Sequence, residues 1–348
     1  MNEIDQKFSQ WLTENKRVAI ATLVKVYGSA PQPLGSKMVV TEDGEFFGAV
    51  SGGCVEGDVI EQASRVIQTG QSKLKTYGIS DDAAWEVGLA CGGTIEVFIE
   101  SSQPVHEDIL QLQQQKVLFG VLTVLSGNRA GEKQIVLPAH LEDHPQPGLL
   151  AESDVFQTVS HALKVQKSEK MTAQLSGKSA ELFCEIFSPP ARLMIIGAVH
   201  IAMPLVELAR LVSFSTFIID PRRVFANRER FPSADHLVIG WPSEELEKLH
   251  IDENTFIVFV SHDEKFDVPA LQVALKSNAR YIGALGSKTT HAERVHKLIE
   301  LGLTPQEIAR IHAPIGLDIG AAGSQEIALA ILTQMIAVKN GKQLPGKS

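Results

Sequence analysis

Two cysteines in this chain stand beside paired glycines, in Ser51-Gly52-Gly53-Cys54 and in Ala90-Cys91-Gly92-Gly93. A cysteine acts as nucleophile or soft metal ligand through its thiolate, and the positive end of a helix dipole favours that form. Cys54 is followed by Val55, Val59, Ile60, Ala63, Val66 and Ile67 at helical spacing, which sets it at or just before a helix N-terminus. Gly52 and Gly53 leave a bulky ligand free to approach the Cys54 sulfur, as Gly92 and Gly93 do for Cys91. If they converge, Cys54 and Cys91 could hold a soft metal centre, transfer sulfur or form a redox pair. Each taken alone is also the kind of small apolar residue that fills a core. Cys184, inside Glu181–Phe187 (ELFCEIF), reads as a structural strand residue. An odd count of 3 cysteines without a Cys-x-x-Cys pair supports neither a disulfide framework nor a four-cysteine zinc site.

A second set of candidates lies at predicted strand ends in the C-terminal half. After the apolar run Leu193–Ile196 comes Gly197-Ala198-Val199-His200-Ile201-Ala202, and Asp220 closes the next strand. Strand, turn, helix and later acidic residue fit a dinucleotide fingerprint with Asp220 as ribose ligand, so an NAD(P)-linked oxidoreductase is one reading. The second fingerprint glycine is Val199 here, however, and a branched side chain at that point crowds a pyrophosphate. The other reading is a nucleotide-type fold kept for packing or altered recognition. His200 is a candidate ligand or a helix-terminal hydrogen-bonding residue.

Further along, Gly283–Lys288 (GALGSK) combines Gly286, Ser287 and Lys288 before a helix, a cradle for an anion or simply a helix capped by Ser287. Ser261-His262-Asp263 follows another strand; as chain neighbours these residues cannot be assumed to converge as a triad, and His262 is kept as a cofactor-binding candidate. His312–Gly320 (HAPIGLDIG) places Asp318 in a glycine-rich turn that either contacts a polar ligand or is purely structural.

These residues need a scaffold, and the chain of 348 residues, 44% hydrophobic and 21% charged, is long enough for two globular domains. Ser188-Pro189-Pro190 breaks the pattern and suggests a boundary, giving domains 1–188 and 189–348. Residues 1–188 read as a mixed α+β domain. An amphipathic helix over Met1–Lys16 leads to strands at Arg17–Val26, Lys37–Thr41, Glu45–Val50 and Thr94–Glu100, with a tight Asp43-Gly44 turn. From Ser101 the signal weakens to a helix near Val105–Gln115 and strands near Lys116–Leu125, Gln134–Leu137 and Ser179–Phe187. Beyond residue 189, short apolar strands alternate with helices, which predicts a Rossmann-like parallel sheet covered on both faces.

Composition narrows the partners. Lys and Arg number 32 against 41 Asp and Glu, a net charge of −9 with no long basic block, which disfavours nucleic acid. Neither a secretory leader nor a run long enough to span a bilayer is legible, so a cytoplasmic protein without a membrane partner is expected.

GSAPQPLGSKMVV, VSGGCVEGDVIE, GLACGGTIEVFIE, YIGALGSK and RIHAPIGLDIGA, in that order, resemble the XdhC/CoxI family over about residues 17–100 and 190–340. The resemblance implies a molybdenum cofactor (molybdopterin) chaperone that assists cofactor sulfuration with a cysteine desulfurase. It also implies insertion into an apo xanthine dehydrogenase-type molybdoenzyme, by an accessory factor rather than an independent enzyme, working as a homodimer. Under it, Cys54 and Cys91 become the molybdenum- or sulfur-handling residues, and the turns at Gly197, Gly283–Lys288 and Gly316–Gly320 become candidates for pterin and phosphate. The chain departs from the family at GAVH, where GAGH is usual, and at GAAGSQEIA, where the family continues GAxTPEEIA.

Overall fold

The computed structural model describes residues 3–28, 30–78, 93–142, 147–261 and 263–342. Cys91, Gly92 and His262 therefore lie outside the described residues. The chain divides into two compact units, Met1–Pro189 and Pro190–Ser348.

In the first unit, α1 (Glu3–Thr13), β1 (Val18–Tyr27), β2 (Lys37–Thr41), β3 (Phe46–Gly48), α2 (Glu56–Thr69), β4 (Lys73–Tyr77) and β5 (Thr94–Ser101) come first. Then follow α3 (Val105–Gln114), β6 (Phe119–Val124), β7 (Lys133–Val136), α4 (Ser153–Val165), β8 (Glu169–Leu175) and β9 (Lys178–Phe187). Among the described residues these strands make two antiparallel sheets, ordered β3-β2-β1-β5-β4 and β7-β6-β9-β8. The apolar stripe of α2, Val59, Ala63 and Val66, packs on Ala19, Ala21 and Leu23 of β1 and on Ile95, Val97 and Ile99 of β5. On the second sheet, Val155, Val159, Ala162 and Leu163 of α4 cover Leu122, Val124, Leu182 and Cys184. Both α4 and β8 fall where the sequence pattern was weak. The polar β4 was also not foreseen; edge strands rich in lysine carry little periodic signal.

The second unit alternates β10 (Arg192–Ile196), α5 (Ala202–Leu211), β11 (Ser215–Ile219), β12 (His236–Val238), α6 (Pro242–Lys248), β13 (Thr255–Phe259) and α7 (Glu264–Lys276). It ends with β14 (Tyr281–Ala284), α8 (Lys288–Glu300), α9 (Pro305–Ile308), β15 (Ile311–His312) and α10 (Gly323–Lys339). The sheet is parallel in the order β12-β11-β10-β13-β14-β15, the Rossmann-like arrangement that strand–helix alternation predicts. Alternate residues of β10 serve opposite faces: Leu193 and Ile195 meet α5 and α10, while Met194 and Ile196 meet α7 and α8. Both faces being covered explains why these strands are uninterrupted apolar runs. The chain leaves β10 toward β11 and returns on the other side at β13, so the strand order reverses between β10 and β13. Open α/β sheets bind ligands beyond the carboxyl ends of strands at such a point.

Candidate functional site

Cys54 lies immediately before Val55, the N-cap residue of α2, half-buried and free of disulfide. The turn that presents it is fixed by a residue the sequence did not single out. Glu56 accepts the Ser51 backbone N–H at 2.8 Å, the Ser51 hydroxyl at 2.7 Å and the Val55 N–H at 3.2 Å. Burial pushes the Glu56 carboxyl up, but the Ser51 hydroxyl and the backbone donors outweigh it and hold it below the usual carboxylate range. Gly53 has φ +104°, a conformation side chains other than hydrogen rarely adopt, and a Cβ placed there meets nothing within 4 Å. The space over Gly53 is open.

Two further motifs close on the same end of the first sheet. A Cβ on Gly52 would lie 3.3 Å from the Pro31 ring, so the SGGC turn and the GSAPQP loop touch. The register Tyr27↔Thr94 sets the chain after β1 beside the start of β5, and a Cβ on Gly28 would lie 3.6 Å from Gly93 Cα. Ala30 and Cys54 each pack against the core that α2 shares with β1 and β5. Three segments distant in sequence are thus linked at this end of the sheet, the SGGC turn touching the loop after β1 at Pro31 and that loop touching Gly93 at Gly28. Cys184 is buried in the second sheet and its thiol is pushed up to about 12 by burial, with Glu169 and Glu185 adding to it.

Elsewhere in the first unit, the buried Glu100 is matched by neighbouring bases. Glu100 contacts Lys133 at 2.7 Å and His106 at 3.7 Å beside a cavity of about 40 Å³. Burial pushes Glu100 up, but Lys133 and His106 outweigh it and hold its carboxyl low.

The carboxyl edge of the parallel sheet collects Gly197, His200, Asp220, Asp263, Gly286, Ser287 and Lys288. Gly197 is required by packing: a Cβ would sit 2.8 Å from Ser261 Cβ and 2.9 Å from Ser261 N, at φ +104°. His200 is exposed and Val199 packs against the core beneath α5. Asp220, the expected ribose ligand, is engaged by hydrogen bonds within the chain. Oδ2 accepts Ala198 N–H and Arg222 Nη2, each at 2.8 Å; Oδ1 accepts Arg222 N–H and Nε, each at 2.9 Å. A carboxylate offers about four acceptor positions, and all are taken by the protein. Burial pushes Asp220 up, yet Arg222 and the two backbone donors hold it below its ordinary value.

At the β14 end, Ser287 is the N-cap of α8, its hydroxyl accepting Thr290 N–H at 3.1 Å; Lys288 opens that helix. Beneath the loop lies Arg294, 7% exposed, donating Nη2 to Leu285 O at 2.9 Å while its buried Nη1 has no hydrogen-bond partner among the described residues. Asp267, close enough to interact with Arg294, accepts the Ser261 hydroxyl at 2.6 Å and is pushed up to about 7 by burial. Sequence reasoning missed Arg294 and Asp267, whose helix positions carry no local signal. Asp318 is exposed, in a loop that Gln334 of α10 grips by accepting Gly316 N–H at 3.0 Å and donating to Gly316 O at 3.2 Å.

Among the described residues, no three His, Cys, Asp or Glu side chains gather as a metal site, and no helix is long and apolar enough to cross a membrane. A concavity of about 720 Å³ between Leu246–Ile251 and Gln272–Ser277 lies at the amino edge of the sheet, opposite the carboxyl edge that collects the candidate residues.

The fold and its motif-bearing turns define a two-part chain, a glycine-flanked thiol unit followed by a Rossmann-like unit. The XdhC and CoxI family description matches residues 11–78 and the XdhC Rossmann domain matches residues 193–335, and the chain belongs to the XdhC/CoxI family. It is 28% identical to a Bacillus subtilis protein named as a probable xanthine dehydrogenase subunit, over 94% of this chain and 95% of that protein. It is 29% identical to the molybdenum cofactor insertion chaperone PaoD of Escherichia coli, over 94% of this chain and 85% of that protein. A crystal structure described as a xanthine dehydrogenase from Bacillus halodurans superposes with a TM-score of 0.76 at 27% identity, covering 99% of this chain and 98% of that one.

Proposed function

We propose that the chain is a carrier for the molybdenum cofactor that assists its insertion into a xanthine dehydrogenase-type molybdoenzyme, as an accessory factor rather than an independent enzyme. The observation that carries this reading is a free, half-buried Cys54 in the SGGC turn, which touches the GSAPQP loop, itself in contact with Gly93. One thiol beside open space suits a metal that arrives already held by an organic ligand. The names of the Bacillus subtilis and Escherichia coli relatives support the same class of role.

When bound, the cofactor supplies the redox metal of the client enzyme; the residues of this chain bind and release it. Cys54 is the proposed ligand to molybdenum or to its terminal sulfur, with Cys91 as the second, and Glu56 is the positioning residue that holds the Cys54 turn. Gly286, Ser287 and Lys288 are the proposed phosphate contacts, where the N-terminus of α8 favours an anion. Sulfuration with a cysteine desulfurase, a homodimeric state and a cytoplasmic setting belong to the same proposal. An NAD(P)-linked oxidoreductase fits less well, because Val199 packs inward and Asp220 has no acceptor position left for a ribose.

The test is purification from a molybdenum-replete host, with bound metal and oxidised-pterin fluorescence measured beside an NAD titration. Molybdenum and pterin in equal amount on the chain, lost in Cys54→Ser with the fold retained, is the expected result. Saturable NAD binding without affinity for the pterin would overturn it.

A further inference from the structure

Four side chains from two loops and the first turn of α7, at the carboxyl edge of the parallel sheet, make one cluster that none of the motifs above includes. The Arg222 guanidinium lies over the Phe225 ring at 4.5 Å and over the Phe266 ring at 5.6 Å. Phe266 in turn meets Trp241 edge to face, with centroids 5.1 Å apart. Phe225 and Trp241 are 41% and 48% exposed, and Val224 and Ile239 beside them in sequence are exposed too. Large apolar groups gathered in the open call for an occupant.

The cluster is held in place by the first βα turn. Asp220 joins Ala198 N–H to Arg222, and Arg230 donates Nη1 to Ala198 O at 2.8 Å and to Phe225 O at 2.9 Å while lying 5.4 Å over the Phe225 ring. Arg230 is bonded to carbonyls, and among the described residues no carboxylate forms an ion pair with it. Arg223 next door is exposed. Arg222 is paired with Asp220 and feels Asp263 as well, so the cations left for an anion here are Arg223 and Arg230. Aromatic and guanidinium planes take flat rings face on, and fixed cations beside them take an anion.

We propose that Phe225, Trp241 and Arg222 form a stacking platform for the planar heteroaromatic ring of an anionic ligand, whose negative group is met by Arg223 and Arg230. The inference rests on the carrier reading only for the ring's origin: a pterin and a purine nucleotide share the required chemistry.

The full chain is titrated by calorimetry with a phosphorylated pterin and, separately, with GMP, in wild type and in Phe225→Ala, Trp241→Ala and Trp241→Phe. Bound molybdenum is measured on the same preparations. At least one ring ligand should bind. Each alanine variant should weaken it about fivefold or more, the low end of losing one stacking partner, with melting temperature unchanged, and Trp241→Phe should retain most of the affinity. Preference for the pterin or for GMP identifies the ring. Binding of neither, or equal binding by wild type and alanine variants, overturns the platform, as does a loss confined to association with the apo-molybdoenzyme. A platform that binds on a chain carrying no molybdenum leaves this inference standing and removes the carrier reading; molybdenum retained with an indifferent platform does the reverse.

Discussion

The Glu56 carboxylate accepts both the backbone N–H and the hydroxyl of Ser51, at 2.8 and 2.7 Å, and so ties the first turn of α2 back to the loop that carries Cys54. The turn is held by a side chain that comes after the cysteine and outside the glycine motif.

Removing that acceptor strands buried donors. Glu56→Ala leaves the N–H groups of Ser51 and Val55 without it, and a buried unsatisfied group costs about 1–3 kcal/mol. Glu56→Ala should therefore lower the urea midpoint of the chain and reduce cofactor loading together, whereas Glu56→Gln, which keeps one acceptor oxygen, should lose less of both. Because the Glu56 pKa is depressed on folding, its contribution is present above the ordinary carboxylate pKa and is lost as pH falls through the folded value. An unchanged midpoint in Glu56→Ala would remove Glu56 from the positioning role.

Thiol labelling separates the cysteines. Cys184 is buried and its thiol is pushed up to about 12, so it carries almost no thiolate at neutral pH; Cys54 is half-buried beside the open space over Gly53. In a Cys91→Ala background, a maleimide should modify the folded chain at Cys54, with Cys184 reacting only after denaturation. Peptide mapping that finds Cys184 labelled in the native state would contradict the burial.

Strand–helix alternation made the second unit legible, down to the end of β11 at Asp220, because a doubly covered parallel sheet writes itself as separated apolar runs. The first unit was less so: β4, with Lys73 and Lys75, and β8, with Glu169 and Lys170, alternate too weakly to show, and α4 lay in the featureless middle. At the site, local patterns marked Cys54, Gly197 and Ser287. Glu56, Arg222, Arg294 and Asp267 escaped because their roles depend on partners brought together by packing, and a fingerprint that names Asp220 says nothing of the arginine that occupies it.

Gly197 reports the closeness of β10 and β13. Gly197→Ala sets a Cβ 2.9 Å from Ser261 N at φ +104°, so overlap and backbone strain combine, each of order 1–3 kcal/mol. A drop of several degrees in melting temperature of the second unit is expected. Gly177→Ala, at φ +78° with nothing within 4 Å, carries the strain without the overlap and should fall less.

Asp267 gives a pH signature of opposite sign to Glu56. Burial raises its carboxyl to about 7 against opposing contributions from the Ser261 hydroxyl and Arg294, with Asp263 and Glu264 adding to the rise. The folded chain thus holds a proton that the unfolded chain releases near pH 4, and the associated stability, on the order of a few kcal/mol at most, is lost as pH rises from about 4 to about 7. Asp267→Asn keeps an oxygen to accept the Ser261 hydroxyl and cannot ionise. Its stability relative to wild type should therefore increase between about pH 5 and about pH 8, read as the difference in urea midpoints. A difference independent of pH would mean that Asp267 is already ionised in the folded chain, paired with the Arg294 charge beneath the Gly286 loop.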